Sequence, residues 1–173
     1  MVSRAHIPPT NAGEWFYDFV LDGEKRGYSY LRIDEDELLS VTRFRLPDES
    51  IYVNRFEVRC ENGRPVACRR GDGPWFDVPS GQFPGSAYEL LLGGVGDSPV
   101  HYQQLSEEDG SVVAATLERQ DDVIVESGDG RATRRFHRRN GVTVSVDWGG
   151  AMSTLHESGE AAAAGSGVPF SVE

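Results

Sequence analysis

Hydrophobic and polar residues alternate along most of this chain, and the alternation stops and restarts at turn-forming residues. Residues 14–21 (EWFYDFVL) run into Asp22-Gly23, and 27–33 (GYSYLRI) end at the acidic turn Asp34-Glu35-Asp36. Residues 38–46 break at Pro47-Asp48, and 50–61 (SIYVNRFEVRCE) return through Asn62-Gly63 into 64–70. A second set covers 101–105, 112–119, 123–126 and 131–138, and Asn140-Gly141 turns the last of these into 142–148. Some ten strands joined by short turns predict an antiparallel meander, because a parallel sheet would need crossover helices. A sheet that long curls or closes, so the expected fold class is all-β: an antiparallel meander forming a barrel or strongly curved half-barrel.

The stretch 71–99 breaks this rhythm. Pro74, Pro79 and Pro84 argue against a place in the ladder. Within it, Ser86 to Glu89 has the spacing of a capping box, Leu90 to Leu92 follow, and Gly93-Gly94 stops the helix. The expectation is one short helix over 86–92, lying across a barrel mouth as a plug. The predicted organisation is a flexible arm over 1–12, one β domain over 13–156 and a flexible tail over 157–173 (ESGEAAAAGSGVPFSVE), which has little to bury.

Two hairpins carry the arguments about facing. With Asn62-Gly63 as a two-residue loop, Cys60 faces Pro65 and Cys68 faces Glu57, which puts the thiols on opposite faces and predicts no disulfide. A slip of one residue would bring them to one face. With Asn140-Gly141 as a two-residue loop, Arg135 and His137 point inward beside Val142, Val144, Val146 and Trp148, and an inward arginine calls for an anionic partner. A three-residue turn instead puts Phe136 with the valines and the arginines in solvent.

Gly27-Tyr28-Ser29-Tyr30, and Gly73-Pro74-Trp75 leading into 83–92 (FPGSAYELLL), resemble a group of bacterial half-barrel proteins. These have the lipoprotein-carrier-like fold or are described as glycolipid-binding domains. The resemblance covers organisation over residues 14–148. It implies a half-barrel that takes a lipid, and it carries over no catalytic residues.

Composition narrows the function. The chain has 173 residues and a formal net charge of −11, which argues against nucleic acid or an anionic membrane as partner. Residues 1–12 hold no apolar run of signal-peptide length, and no run is long enough to span a bilayer, so a cytoplasmic protein is expected. No phosphate loop, nucleophile elbow or His-x-x-x-His pair occurs, and neither a metal nor a cofactor is expected. Oligomeric state is left open.

The expected function is non-enzymatic binding of a hydrophobic or amphiphilic small molecule, with an anionic head as one version, inside the barrel. Tyr28, Tyr52, Asn54, Phe56, Trp75, Tyr88, Arg135 and Trp148 are the candidate ligand contacts, and Asn54 joins Ser40 and Thr42 as an inward polar set. Two alternatives stand beside it. One is a cofactor-independent lyase or isomerase using the same cavity with His101 or His137 as base. The other is a non-catalytic protein-interaction module.

Overall fold

The computed structural model describes residues 12–130 and 133–172. Five strands come first: β1 (Gly13–Leu21), β2 (Glu24–Ile33), β3 (Glu37–Arg45), β4 (Ile51–Glu61) and β5 (Arg64–Arg70). Two short ones follow, β6 (Phe76–Asp77) and β7 (Gln82–Pro84), then a 3-10 turn (Gly85–Ala87) that runs into helix α1 (Tyr88–Leu92). The second set is β8 (Val100–Leu105), β9 (Val112–Gln120), β10 (Val123–Gly128), β11 (Arg134–Arg139), β12 (Val142–Asp147) and β13 (Ala151–His156), followed by helix α2 (Gly159–Ala163). The arm expected over 1–12 lies, except for Ala12, outside the described residues, as do Arg131 and Ala132.

All thirteen strands form one sheet in the order β6-β5-β4-β3-β2-β1-β13-β12-β11-β10-β9-β8-β7. Every pair is antiparallel except β7 with β8. This is a curved all-β half-barrel, and its ladder ends at β6 and β7. Those end strands are sequence neighbours, joined by residues 78–81. The prolines of this stretch do not keep it out of the sheet, because two- and three-residue end strands tolerate a missing donor. Gln82 to Pro84 pair with Gln103 to Leu105. β13 is a strand that the alternation did not reveal.

The plug is present and fills one end of the concave side. Leu90, Leu91 and Leu92 of α1 are buried against Ile33, Leu38, Val58, Cys68, Leu117, Ile124, Phe136 and Val146. Each buried leucine contributes about 1.5–3 kcal/mol relative to an exposed one. Polar bonds then orient the segment. Arg134 Nη1 donates to Gly85 O at 3.1 Å, Arg138 Nη1 to Glu89 Oε1 at 2.7 Å, and Arg119 Nη2 to Val95 O at 2.8 Å. The expected capping box does not form. The Ser86 hydroxyl has no partner among the described residues, its backbone N–H goes to Glu107, and Glu89 bonds Arg138 and Thr143 instead. A buried cation and hydroxyl are stronger partners for that carboxylate than its own helix end.

The facing of both Asn-Gly hairpins differs from the simple alternation. Arg59 pairs with Ala67 but Cys60 pairs with Pro65, so Val66 is an extra residue on β5. Cys68 then faces Val58 rather than Glu57, and both thiols lie in the buried core as free cysteines. Likewise Arg138 pairs with Thr143 but His137 with Ser145, which makes Val144 an extra residue on β12. Phe136 therefore faces Val146 and is fully buried, while Arg135 faces Asp147 and is exposed.

The tail expected to fray is packed instead. Ser158 caps α2 through its hydroxyl, which accepts from Ala161 N at 3.1 Å. Ala162, Ala163, Val168 and Phe170 then cover Tyr28, Tyr30 and Phe16 on the convex face. Arg43 Nη1 and Arg45 Nε bond the carbonyls of Ser171 and Ser166 at 2.6 and 2.5 Å. Alanines suit this task because they let the segment lie close to the rings.

Candidate functional site

The registers of β1 to β5 lay the concave face out as successive rows across the sheet. The row Ile33, Leu38, Val58 and Cys68 is buried under the plug, at 4%, 0%, 0% and 0% exposure. Next comes Trp15, Leu31, Ser40, Phe56 and Arg70, then Tyr17, Ser29, Thr42 and Asn54, then Phe19, Gly27, Phe44 and Tyr52. Side chains alternate along a strand, so all of these share one face. Cover thins in that direction over β3 and β4, while Leu31 and Tyr17 stay buried at 4% exposure each. Ser29, Ser40, Thr42, Asn54 and Phe56 are half-buried, and Tyr52 is 36% exposed.

This half-covered part of the concave face is aromatic with a polar stripe. Phe19 and Phe44 meet at 4.8 Å between ring centres, and Phe44 and Tyr52 at 5.4 Å. The Ser29 and Thr42 hydroxyls bond each other at 2.7 Å. Arg70 closes the stripe: its Nε donates to Asn54 Oδ1 at 3.0 Å, its Nη2 to the Tyr52 hydroxyl, and its Nη1 pairs with Glu108 at 2.9 Å. Glu108 sits in the turn between β8 and β9, so this pair reaches across the gap between the two ends of the sheet. Four rings, small hydroxyls and one cation can hold an amphiphile, with apolar contact over the rings and hydrogen bonds at the stripe.

A second polar cluster lies under the plug. Arg134 Nε bonds Glu126 Oε1 at 2.6 Å, the Tyr102 hydroxyl bonds Glu126 Oε2 at 2.5 Å, and Gln104 bonds both Tyr102 and Glu126. Burial alone would loosen the proton on Arg134, but the Glu126 carboxylate, helped by Tyr102 and Tyr88, outweighs it and holds the guanidinium above the ordinary arginine value. Its guanidinium also lies over the Tyr88 and Phe136 rings at 5.3 and 5.4 Å. The cluster joins β8, β10 and β11 to one another, and Arg134 fastens the plug to it through Gly85 O and the Tyr88 ring.

The residues named from the sequence scatter accordingly. Tyr52, Asn54 and Phe56 come together on the open face. Tyr88 and Trp148 lie in the plug core, with Tyr88 stacked on Phe136 at 4.8 Å. Tyr28 is fully buried on the opposite, convex face, where its hydroxyl exchanges hydrogen bonds with the backbone of Ser171. Trp75 lies on the outer face between Arg59 and Arg69, at 3.9 and 4.8 Å. Arg135 is exposed, so no anionic head can sit on it within the barrel. His101 is exposed and bonds Thr116 at 3.0 Å, and His137 faces Ser145 on the outer side. Neither histidine reaches the interior.

No binding role was read from the sequence for Phe19, Phe44, Arg70, Arg134 or Arg138. The first two were within reach, since Trp15, Tyr17 and Phe19 alternate, as do Ser40, Thr42 and Phe44. The three arginines follow from the extra residues Val66 and Val144, which no local pattern marks.

Architecture and site together define a class: an open β half-barrel, plugged at one end and aromatic at the other. Set against known protein families, curated proteins and solved structures, the chain matches none. Among the described residues, no group of three or more His, Cys, Asp or Glu side chains is placed to hold a metal ion. Among them, too, no helix is long and apolar enough to cross a membrane.

Proposed function

We propose that this protein binds a hydrophobic or amphiphilic small molecule without transforming it, on the open part of the concave face. The observation that supports the reading is the run Phe19, Phe44, Tyr52, with Phe56 two rows away, left half-buried and with Tyr52 36% exposed, while the row Ile33, Leu38, Val58 and Cys68 is sealed under the plug. Water-facing aromatics on a concave surface lose free energy that a ligand recovers by covering them. The lyase or isomerase reading has lost its proposed bases, because His101 and His137 lie on the outer face.

The test is fluorescence of the neutral probe N-phenyl-1-naphthylamine. Enhancement is expected with the native chain and should drop at least tenfold in Phe44→Ser, with Leu92→Met in the plug core as a control that keeps it. Absence of enhancement in the native chain, or equal enhancement in Phe44→Ser, overturns the reading. Native mass spectrometry of the purified protein then asks for the ligand itself.

A further inference from the structure

We propose that Arg70 is the head-group anchor of this face and that its ligand is an amphiphile carrying a carboxylate, for which the side chain of Glu108 stands in when the site is empty. The inference rests on the proposed binding function and names the chemistry of its ligand.

Three observations carry it. First, Arg70 stands in the row Trp15, Leu31, Ser40, Phe56, at the border between the plugged and the open parts of the face. It is the cation at the edge of the aromatic run. Secondly, its guanidinium is oriented from within the face: Asn54 accepts from Nε and the Tyr52 hydroxyl from Nη2. A fork held on two sides presents its remaining N–H groups in a fixed direction, which suits a carboxylate.

Thirdly, the remaining nitrogen, Nη1, is taken by a carboxylate that is easily removed. Glu108 is 71% exposed, against 29% for Arg70, and belongs to a turn rather than to a strand. An exposed ion pair of this kind contributes little net stability, so exchanging one carboxylate for another costs the fold little. The incoming head would find Arg70 Nη1, the Tyr52 hydroxyl and the Asn54 amide together, and its chain would lie over Phe44 and Phe19. A neutral head gains the same apolar contact but cannot take the place of Glu108.

Competition against N-phenyl-1-naphthylamine separates the two proposals. At pH 8, decanoate is expected to displace the probe at about tenfold lower concentration than decanol from the native protein. In Arg70→Gln the two should become equal. In Glu108→Gln decanoate should gain about threefold, with decanol unchanged. Equal displacement by decanoate and decanol in the native chain overturns the anchor while leaving the binding face intact, and so does a decanoate preference that survives in Arg70→Gln. Unchanged decanoate affinity in Glu108→Gln overturns the stand-in role, even if Arg70→Gln fails to fold. If the probe itself does not bind, the underlying function falls and the anchor with it.

Discussion

Phe19 and Phe44 stand two strands apart, yet their rings meet at 4.8 Å because the residue between them in the sheet is Gly27. A side chain at 27 has nowhere to go: a Cβ built there would fall 1.9 Å from the carbonyl oxygen of Arg43. The aromatic run on the open face thus depends on one missing methyl group.

Gly27→Ala should therefore destabilise the protein by on the order of 3 kcal/mol, since the clash is with backbone and β2 or β3 must move. Urea unfolding measures this directly. A loss below about 1 kcal/mol would show that the strands separate easily at this point.

The pair Arg138 and Glu89 should behave as a buried ion pair, with side chains 13% and 7% exposed. Glu89→Gln or Arg138→Met alone should cost about 3–5 kcal/mol, because each leaves a charge without its partner. The double variant should cost clearly less than the sum, and a double-mutant cycle reads the coupling. Strict additivity would mean that the plug is held by its leucines alone.

The two thiols give a pH prediction. Burial pushes Cys60 up to about 11 and Cys68 up to about 12, from an ordinary 9.0, with nearby carboxylates adding to the effect. The folded chain thus keeps protons that the unfolded chain has lost, so stability is intact below pH 9 and falls as pH rises toward 11–12. Cys68→Ala should flatten this slope relative to the native chain, though its stability at pH 7 is lower. Disulfide exchange with an aromatic disulfide at pH 8 should be negligible until the protein is unfolded.

Most strands and turns could be read from the sequence, and the phase of the strands beyond the turns could not. Asp22-Gly23, Asn62-Gly63 and Asn140-Gly141 all adopt positive φ at both residues, as the dipeptides predict. In each hairpin, however, the third residue after the glycine is extra: Arg26, Val66 and Val144. Such bulges increase strand twist and reverse the facing of everything beyond them. The strict alternation of Val142, Val144 and Val146 conceals this, because a β-branched residue is as acceptable outside as inside. That is why Arg134 and Arg138 face the plug while Arg135 does not. The tail misled for another reason: its alanines bury little each, and only the convex rings of Tyr28 and Tyr30 make them worth ordering.

The four residues between β6 and β7 also set a mechanical limit. From Asp77 to Gln82 there are five Cα steps, and an extended chain spans at most ~3.6 Å for each, or about 18 Å in all. The two rims of the sheet are therefore on a short leash. The half-barrel cannot unroll into an open ribbon without melting a strand.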